Sequence, residues 1–288
     1  MDMKNNEKTQ KYRMVAIDLD ETLLDPESAL SEYAAGVLRA IAEKDVKVVV
    51  CTGRAYVASL LYLRQINLSG AGIFCNGAQI RVFPEGNVLQ EHLIPIEEAK
   101  LAIRLGEETG GHPRIYTDDL LYVSRMIEED KVFSDRTGVT IKAVGDLCAF
   151  LDTFGKPGKS GNPPIKVINY MRNPELAPVL VEKSNRVFQD RLYVTQTMSI
   201  NQAIFVEFIN ISANKGNAVK QLAGMWGISK EEKIAAGDHL NDLTMFAEAG
   251  FSIAPQNAQA AVLEAASAVC LSNAEDGVAK KLSEIFLS

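Results

Sequence analysis

Met14-Val-Ala-Ile-Asp-Leu-Asp-Glu-Thr-Leu-Leu-Asp25 is the stretch on which the fold turns. Met14 to Leu19 is a short β-rich run, and it ends abruptly in acidic residues and a turn. Outward from it, Ser31 to Lys44 has helical spacing, with Tyr33, Val37, Leu38 and Ile41 on one face. Val46 to Cys51 is nearly all apolar, as expected of a parallel strand covered on both sides. A turn at Thr52-Gly53-Arg54 leads into a helical stretch through Ile66, and Gly72 to Cys75 is again apolar. Strand, helix, strand, helix, strand is the grammar of a doubly wound parallel α/β sheet. The last third repeats it. Helical stretches at Lys215 to Trp226, Asp242 to Glu248, Ala258 to Ala266 and Ala274 to Phe286 alternate with strands at Lys233 to Ala236, Phe251 to Ala254 and Ala268 to Leu271. Both ends of the chain therefore read as halves of one sheet.

The middle differs. Val82 to Gln90 and Leu120 to Val123 read as strands in a more polar setting, and Ile165 to Tyr170 and Ala203 to Ile209 alternate apolar with polar, which predicts a half-exposed sheet. Helical stretches at Ile96 to Thr109 and Glu175 to Val187 lie between them, and Gly155 to Pro164 (GKPGKSGNPP) reads as a solvated loop. The pattern predicts an α/β core over 12–82 and 208–288, an inserted α+β domain over 83–207 and a polar tail over 1–11.

Composition narrows the function. Of 288 residues, 47% are hydrophobic and 23% charged, the balance of a soluble globular chain with room for two domains. Lysine and arginine number 30 against 37 acidic residues, a formal charge of −7. That argues against binding nucleic acid or an anionic membrane, which need a basic face. No run of about 18 apolar residues is present, so no membrane span is expected. Cys51, Cys75, Cys148 and Cys270 are scattered, without a C-x-x-C pair. Cys51, Cys75 and Cys270 sit in apolar runs and read as buried free thiols, which with no signal peptide points to a reducing cytoplasm.

Active sites of parallel sheets lie beyond the carboxyl ends of the strands, and every polar cluster of the two halves falls at such an end. Asp18 and Asp20 follow the first strand where the chain turns, so both carboxylates converge on one point. Such a pair repels itself unless a proton or cation intervenes, and a hard ion such as Mg2+ with oxygen ligands is the natural resolution. A carboxylate there also suits attack on phosphorus, giving an aspartyl phosphate. Thr52 ends the second strand, and its hydroxyl with the backbone N–H of Gly53 forms a cradle for phosphate oxygens. Lys215-Gly216 opens a helix and offers a point charge. Gly237-Asp-His-Leu-Asn-Asp242 adds two carboxylates and an amide. Singly these elements are weak signals, since an acidic pair more often caps or turns. Their order, each after an apolar strand, is the signal.

DLDETLLD, CTGR, NKG and GDHLND resemble the four motifs of the haloacid dehalogenase superfamily, whose members are mostly Mg2+-dependent phosphatases. The insert resembles the large cap of the Cof-type members (subfamily IIB), and Phe74-Cys-Asn-Gly-Ala78 resembles the stretch that precedes it there. The resemblance implies a Mg2+-dependent phosphatase of small phosphorylated metabolites, sugar phosphates foremost, with the cap as a lid that selects substrate. It implies Asp18 as nucleophile and metal ligand. Asp20 would be general acid and then base, its carbonyl on the metal. Thr52 and Lys215 would hold phosphoryl oxygens with the backbone N–H groups of Leu19 and Gly53. Asp238 would be the third protein ligand, Asn241 would touch phosphate or its water, and Asp242 would support the metal through water. The stretch Ile253-Ala-Pro-Gln-Asn-Ala258 departs from the usual pattern at Pro255 and Gln256.

Other polar residues have plainer readings. His239 reads as a loop side chain near solvent, His92 and His112 as surface positions, Arg54 as a structural salt-bridge partner and Asp118-Asp119 as a hairpin turn. Two further functions share the pattern. A phosphomutase of the same fold would hand the phosphoryl group to a sugar, and a phospho-accepting receiver would also cluster acids, Thr and Lys at strand ends. The receiver needs neither a general acid at Asp20 nor an insert of this size.

Overall fold

The computed structural model describes residues 11–117, 119–154, 161–198 and 203–288. Contacts divide the chain into two compact units, one of residues 1–51, 65–72 and 215–288, the other of residues 52–64 and 73–214.

The first unit is built on a five-stranded sheet in the order Ala268–Cys270, Phe251–Pro255, Lys233–Ala236, Met14–Ile17, Lys47–Val50, with every neighbouring pair parallel. Met14–Ile17 is buried at every position, as an unbroken apolar run flanked by two neighbours should be, and Lys233–Ala236 is too, its opening lysine included. The helix Glu32–Ala42 starts where Ser31 Oγ accepts the Ala34 N–H, and it buries Val37, Leu38 and Ile41. It packs against the helix Gly277–Phe286, and Ser31 Oγ also reaches Asp276 Oδ1 at 2.7 Å, tying the two helix starts together.

The second unit carries a six-stranded sheet in the order Leu192–Met198, Ile204–Asn210, Lys166–Met171, His112–Thr117, Leu120–Val123, Ile141–Ala143. All its pairs are antiparallel except the last. Helices Ile96–Glu108 and Ala177–Phe188 contribute Ile103, Leu180 and Phe188 to a core with Ile115, Val167, Val206 and Phe208 from one sheet face. The opposite face buries Tyr116, Ile168 and Ile209 with Ala55, Ala58, Cys75 and Ala78. Both faces are therefore covered. The strands Lys166–Met171 and Ile204–Asn210 are largely buried rather than half-exposed, and the polar residues of their alternation, Lys166, Asn169 and Glu207, lie inside.

Three further expectations are corrected. The predicted strand over Val82 to Gln90 is a hairpin, Gln79–Phe83 paired antiparallel with Val88–Glu91, because Pro84 and Gly86 (φ +77°) turn the chain between them. The strand Gly70–Phe74 neighbours that hairpin in a three-stranded sheet instead of joining the parallel one. Cys270 is only partly buried, on the sheet's edge strand, whereas Cys51 and Cys75 are fully buried and all four thiols are free. The GKPGKSGNPP loop falls largely outside the described residues.

Candidate active site

Strand order alone brings the first and fourth motifs together. Met14–Ile17 lies between Lys47–Val50, reached early in the chain, and Lys233–Ala236, reached late, so the sheet reverses its winding between Met14–Ile17 and Lys233–Ala236. Such a reversal opens a crevice at the carboxyl ends of the strands. Asp18 follows one of those ends and Gly237-Asp238 the other, and the Asp18 N–H donates to Ala236 O at 2.9 Å. Beyond Asp18 the chain wraps around one carbonyl, Leu19 O, which accepts the N–H of Leu23 at 3.0 Å and of Leu24 at 2.8 Å. Leu19, Leu23 and Leu24 are buried beneath that turn, Asp20 stands half-buried on it, and Glu21 takes a positive φ of 57°.

Lys215 opens the helix Lys215–Met225 and is fully buried. Its Nζ lies 2.6 Å from Asp18 Oδ1 and 2.6 Å from Asp242 Oδ1. Burial works against its charge, but Asp18 and Asp242 override that and hold its pKa above the ordinary lysine value. Asp18 is under the opposite strain. Burial pushes its carboxyl well above the usual range, Lys215 pulls it down, and Asp242, Asp238 and Asp20 push it up again. Asp242 is shared: while Oδ1 takes the ammonium, Oδ2 accepts the N–H groups of Asp238 and His239, each at 3.0 Å. The carboxylate lies so close over Gly237 that a Cβ there would sit 2.3 Å from Asp242 Cγ, so only glycine fits.

Thr22 was not singled out by sequence reasoning, although it stands inside DLDETLLD. Its Oγ1 donates to Asp238 Oδ1 at 2.6 Å, fixing that carboxylate's rotation. The only sequence signal was a hydroxyl residue within an acidic turn. His239 is half-exposed, as expected of a loop, yet its Nδ1 is 2.8 Å from Asp238 Oδ2, a contact that raises its pKa. The loop after Phe251–Pro255 braces the same point from behind. The Gln259 N–H donates to Asp238 O at 2.9 Å, and Asn257 Nδ2 to Glu21 O at 2.7 Å. Pro255 is buried in its strand and Gln256 is exposed. Asn241 is half-buried in the middle of the short helical turn Leu240–Asp242.

Asp18, Asp238 and Asp242 each offer a carboxylate oxygen, all within 4.8 Å of one another and all buried; the more exposed Glu21 and His239 form a second such group with the same buried Asp238. Of these, Asp18 and Asp242 contact the Lys215 ammonium, while Asp238 and the charge of Asp20 bear on Asp18 as well. That excess of buried negative charge and hard oxygen donors fits a divalent cation such as Mg2+.

Thr52 and Gly53 fall in the second unit. Thr52 is fully buried, its N–H donating to Ile73 O at 2.9 Å and its Oγ1 accepting the Arg54 N–H at 3.1 Å. The Phe74-Cys-Asn-Gly-Ala78 stretch is a tight turn with Cys75, Asn76 and Gly77 all at positive φ. A Cβ on Gly77 would stand 2.2 Å from the carbonyl oxygen of Asn214, the residue before Lys215. Arg54 stacks over the Tyr62 ring, 5.0 Å from its centroid. Asp119 stands at positive φ in a turn and is paired with Arg81, while Asp118 lies outside the described residues. His112 is not on the surface: it is nearly buried on a central strand, and its Nε2 lies 3.1 Å from the fully buried Asp130, which also pairs with Arg114 at 2.8 Å.

Comparison with known proteins places this geometry. Residues 15–282 match the haloacid dehalogenase-like hydrolase family. The chain is 30% identical to the Bacillus subtilis protein YxeH over 96% of this chain and 99% of that one. It is 26% identical to the B. subtilis 5-amino-6-(5-phospho-D-ribitylamino)uracil phosphatase YitU, over 96% and 98%. A solved structure from Thermotoga maritima, 30% identical, superposes with a TM-score of 0.78 over 95% of this chain and 97% of that one. The parallel sheet with Asp18 and Asp238 at its reversal, and a match that runs nearly end to end, lead to one conclusion: the chain belongs to the haloacid dehalogenase-like hydrolases, as a phosphatase of that family.

Proposed function

We propose that the protein is a Mg2+-dependent phosphatase of small phosphorylated metabolites, with phosphorylated sugars and sugar alcohols as the substrate class, acting through an aspartyl phosphate on Asp18. The observation that carries this is the buried Asp18 carboxylate, 2.6 Å from Lys215 Nζ and clustered with Asp238 and Asp242. The phosphorylated ribityl substrate in the name of the relative YitU supports the substrate class.

An Asp18 oxygen attacks phosphorus in line, the bond to the leaving oxygen breaks, and Asp20 gives that oxygen its proton. Asp20, now a carboxylate, then takes a proton from the water that attacks the aspartyl phosphate; inorganic phosphate leaves and Asp18 is restored. Lys215 stands against Asp18 throughout and offsets charge on the phosphoryl oxygens, which Thr52 Oγ and the backbone N–H groups of Leu19 and Gly53 receive. The Asp18 and Asp238 carboxylates and the Asp20 carbonyl would hold Mg2+, with Asp242 supporting it through water and Asn241 turned toward phosphate. When bound, the ion supplies positive charge against the equatorial oxygens of the transferring group. We assign 12–82 and 208–288 to catalysis and 83–207 to substrate selection. The test is hydrolysis of p-nitrophenyl phosphate with Mg2+ and with EDTA, followed by a panel of sugar phosphates. Turnover that requires Mg2+ is expected, and turnover undiminished by EDTA overturns the reading.

A further inference from the structure

Each of the three carbonyls of the Thr52-Gly53-Arg54 turn is engaged from elsewhere in the second unit. The Asn76 N–H donates to Thr52 O at 3.0 Å and the Cys75 N–H to Arg54 O at 2.9 Å. The third donor is of another kind. Lys166 Nζ, from the interior of the six-stranded sheet and 113 residues along the chain, donates to Gly53 O at 2.9 Å.

A lysine buried in a sheet is unfavourable unless its charge is paired and its donors are used. Glu207, on the adjacent strand, supplies the charge, its Oε2 lying 2.6 Å from Nζ. Thr197 Oγ1 reaches the other oxygen of Glu207 at 3.4 Å. Lys166 and Glu207 alternate with the core residues Val167, Val206 and Phe208, so they project from the face that carries Ile168 and Ile209. An apolar pair would fill that space with less desolvation, so a buried ion pair there needs a use beyond packing.

We propose that Lys166, held by Glu207, is a positioning residue for the phosphate-binding turn. The inference rests on the assignment of Thr52 and Gly53 to the phosphoryl oxygens. In a trans peptide the C=O and the next N–H point in opposite directions. Pinning Gly53 O therefore aims the Arg54 N–H, which donates to Thr52 Oγ1 at 3.1 Å. A hydroxyl that accepts this bond keeps its own hydrogen to donate, which is what a phosphoryl oxygen requires. The Asn76 bond to Thr52 O turns the Gly53 N–H the same way, and Gly53 lies so near Asn76 that a Cβ would stand 3.1 Å from its Oδ1. Lys166 thus acts through one peptide plane on the Thr52 hydroxyl, without touching substrate.

Lys166→Met alone would strand the Glu207 carboxylate, so the informative variant is Lys166→Met/Glu207→Leu, compared with Thr52→Val and with the combination of all three. With p-nitrophenyl phosphate as substrate and inorganic phosphate as competitive inhibitor, the double variant is expected to keep the wild-type circular dichroism and melting midpoint. It should lose about tenfold in kcat/KM and bind inorganic phosphate about tenfold more weakly. In the Thr52→Val background the same replacement should change either constant by less than about twofold, because both act through one hydroxyl. Full additivity, or a fall in kcat with KM and phosphate inhibition unmoved, marks a merely structural pair and overturns the proposal. If the apolar pair does not fold, Lys166→Gln/Glu207→Gln carries the test: phosphate should weaken about threefold, and wild-type constants refute the role. A Thr52→Val variant with undiminished phosphate inhibition instead overturns the reading of the turn itself, and this inference with it.

Discussion

Asp18 is a carboxyl that burial and its acidic neighbours push well above the usual range and that Lys215, 2.6 Å away, pulls back toward the anion. Replacing it separates chemistry from architecture. Asp18→Asn is expected to lower p-nitrophenyl phosphate turnover by about a thousandfold or more while circular dichroism stays native; turnover near the wild-type rate would remove Asp18 as nucleophile. Thr22 makes a finer point. Its hydroxyl fixes the carboxylate of Asp238 at 2.6 Å, and partners of this kind typically affect metal affinity by about 10- to 100-fold. Thr22→Val is therefore expected to raise the Mg2+ concentration for half-maximal activity about tenfold, with turnover at saturating Mg2+ largely kept. An unchanged Mg2+ titration would show that Asp238 needs no such fixing. At this scale the sequence pointed to the acids and the lysine only as a set, because each alone has ordinary uses as a cap or turn while their ordered recurrence at strand ends does not. It was silent about Thr22, since a threonine among leucines and acids has many.

Among the elements, those with one buried stripe or two buried faces were readable. Glu32–Ala42, Lys233–Ala236 and Phe251–Pro255 lie close to where the apolar periodicity puts them. The strand His112–Thr117 escaped reading because its apolar pattern is broken by His112, Pro113 and Arg114, which look like surface. Arg114 is instead buried against Asp130 and over the Tyr170 ring, and tertiary partners supply what hydrophobicity does not. That cluster carries a prediction. Burial raises the Asp130 pKa, but the His112 bond, the Arg114 charge and the Ile127 N–H outweigh it, so the carboxyl titrates below its ordinary value. The stabilisation is then fully present above the unfolded value, about 3.9, and is lost as pH falls through the lower folded one. Asp130→Asn is expected to cost about 3 kcal/mol at neutral pH by urea unfolding, since it leaves Arg114 buried without its counter-charge. The gap to wild type should narrow steadily below about pH 4. A gap independent of pH would show that the ion pair contributes nothing.

Across the whole molecule, the cluster of Asp18, Asp238 and Asp242 stores repulsion that a bound cation relieves. Mg2+ at ten times its dissociation constant is expected to stabilise the fold by about 1.4 kcal/mol. The melting midpoint should therefore rise with added Mg2+ and fall back with EDTA, and Asp238→Asn should flatten that response. A midpoint indifferent to Mg2+ in the wild-type protein would contradict the cation site. The two halves of the parallel sheet were legible because their strands are apolar and their motifs recur at strand ends. The insert was less so: its sheet is covered on both sides, and buried polar residues such as Lys166 and Glu207 mimic an exposed alternation. That pair bears on how such a protein could be re-engineered. A chimera that grafts a foreign segment over 83–207 removes the ammonium that holds Gly53 O, although Gly53 itself lies outside the exchange. On the proposed assignment of substrate selection to 83–207, a donor segment is expected to transplant well only if it brings a lysine and a glutamate to the places of Lys166 and Glu207.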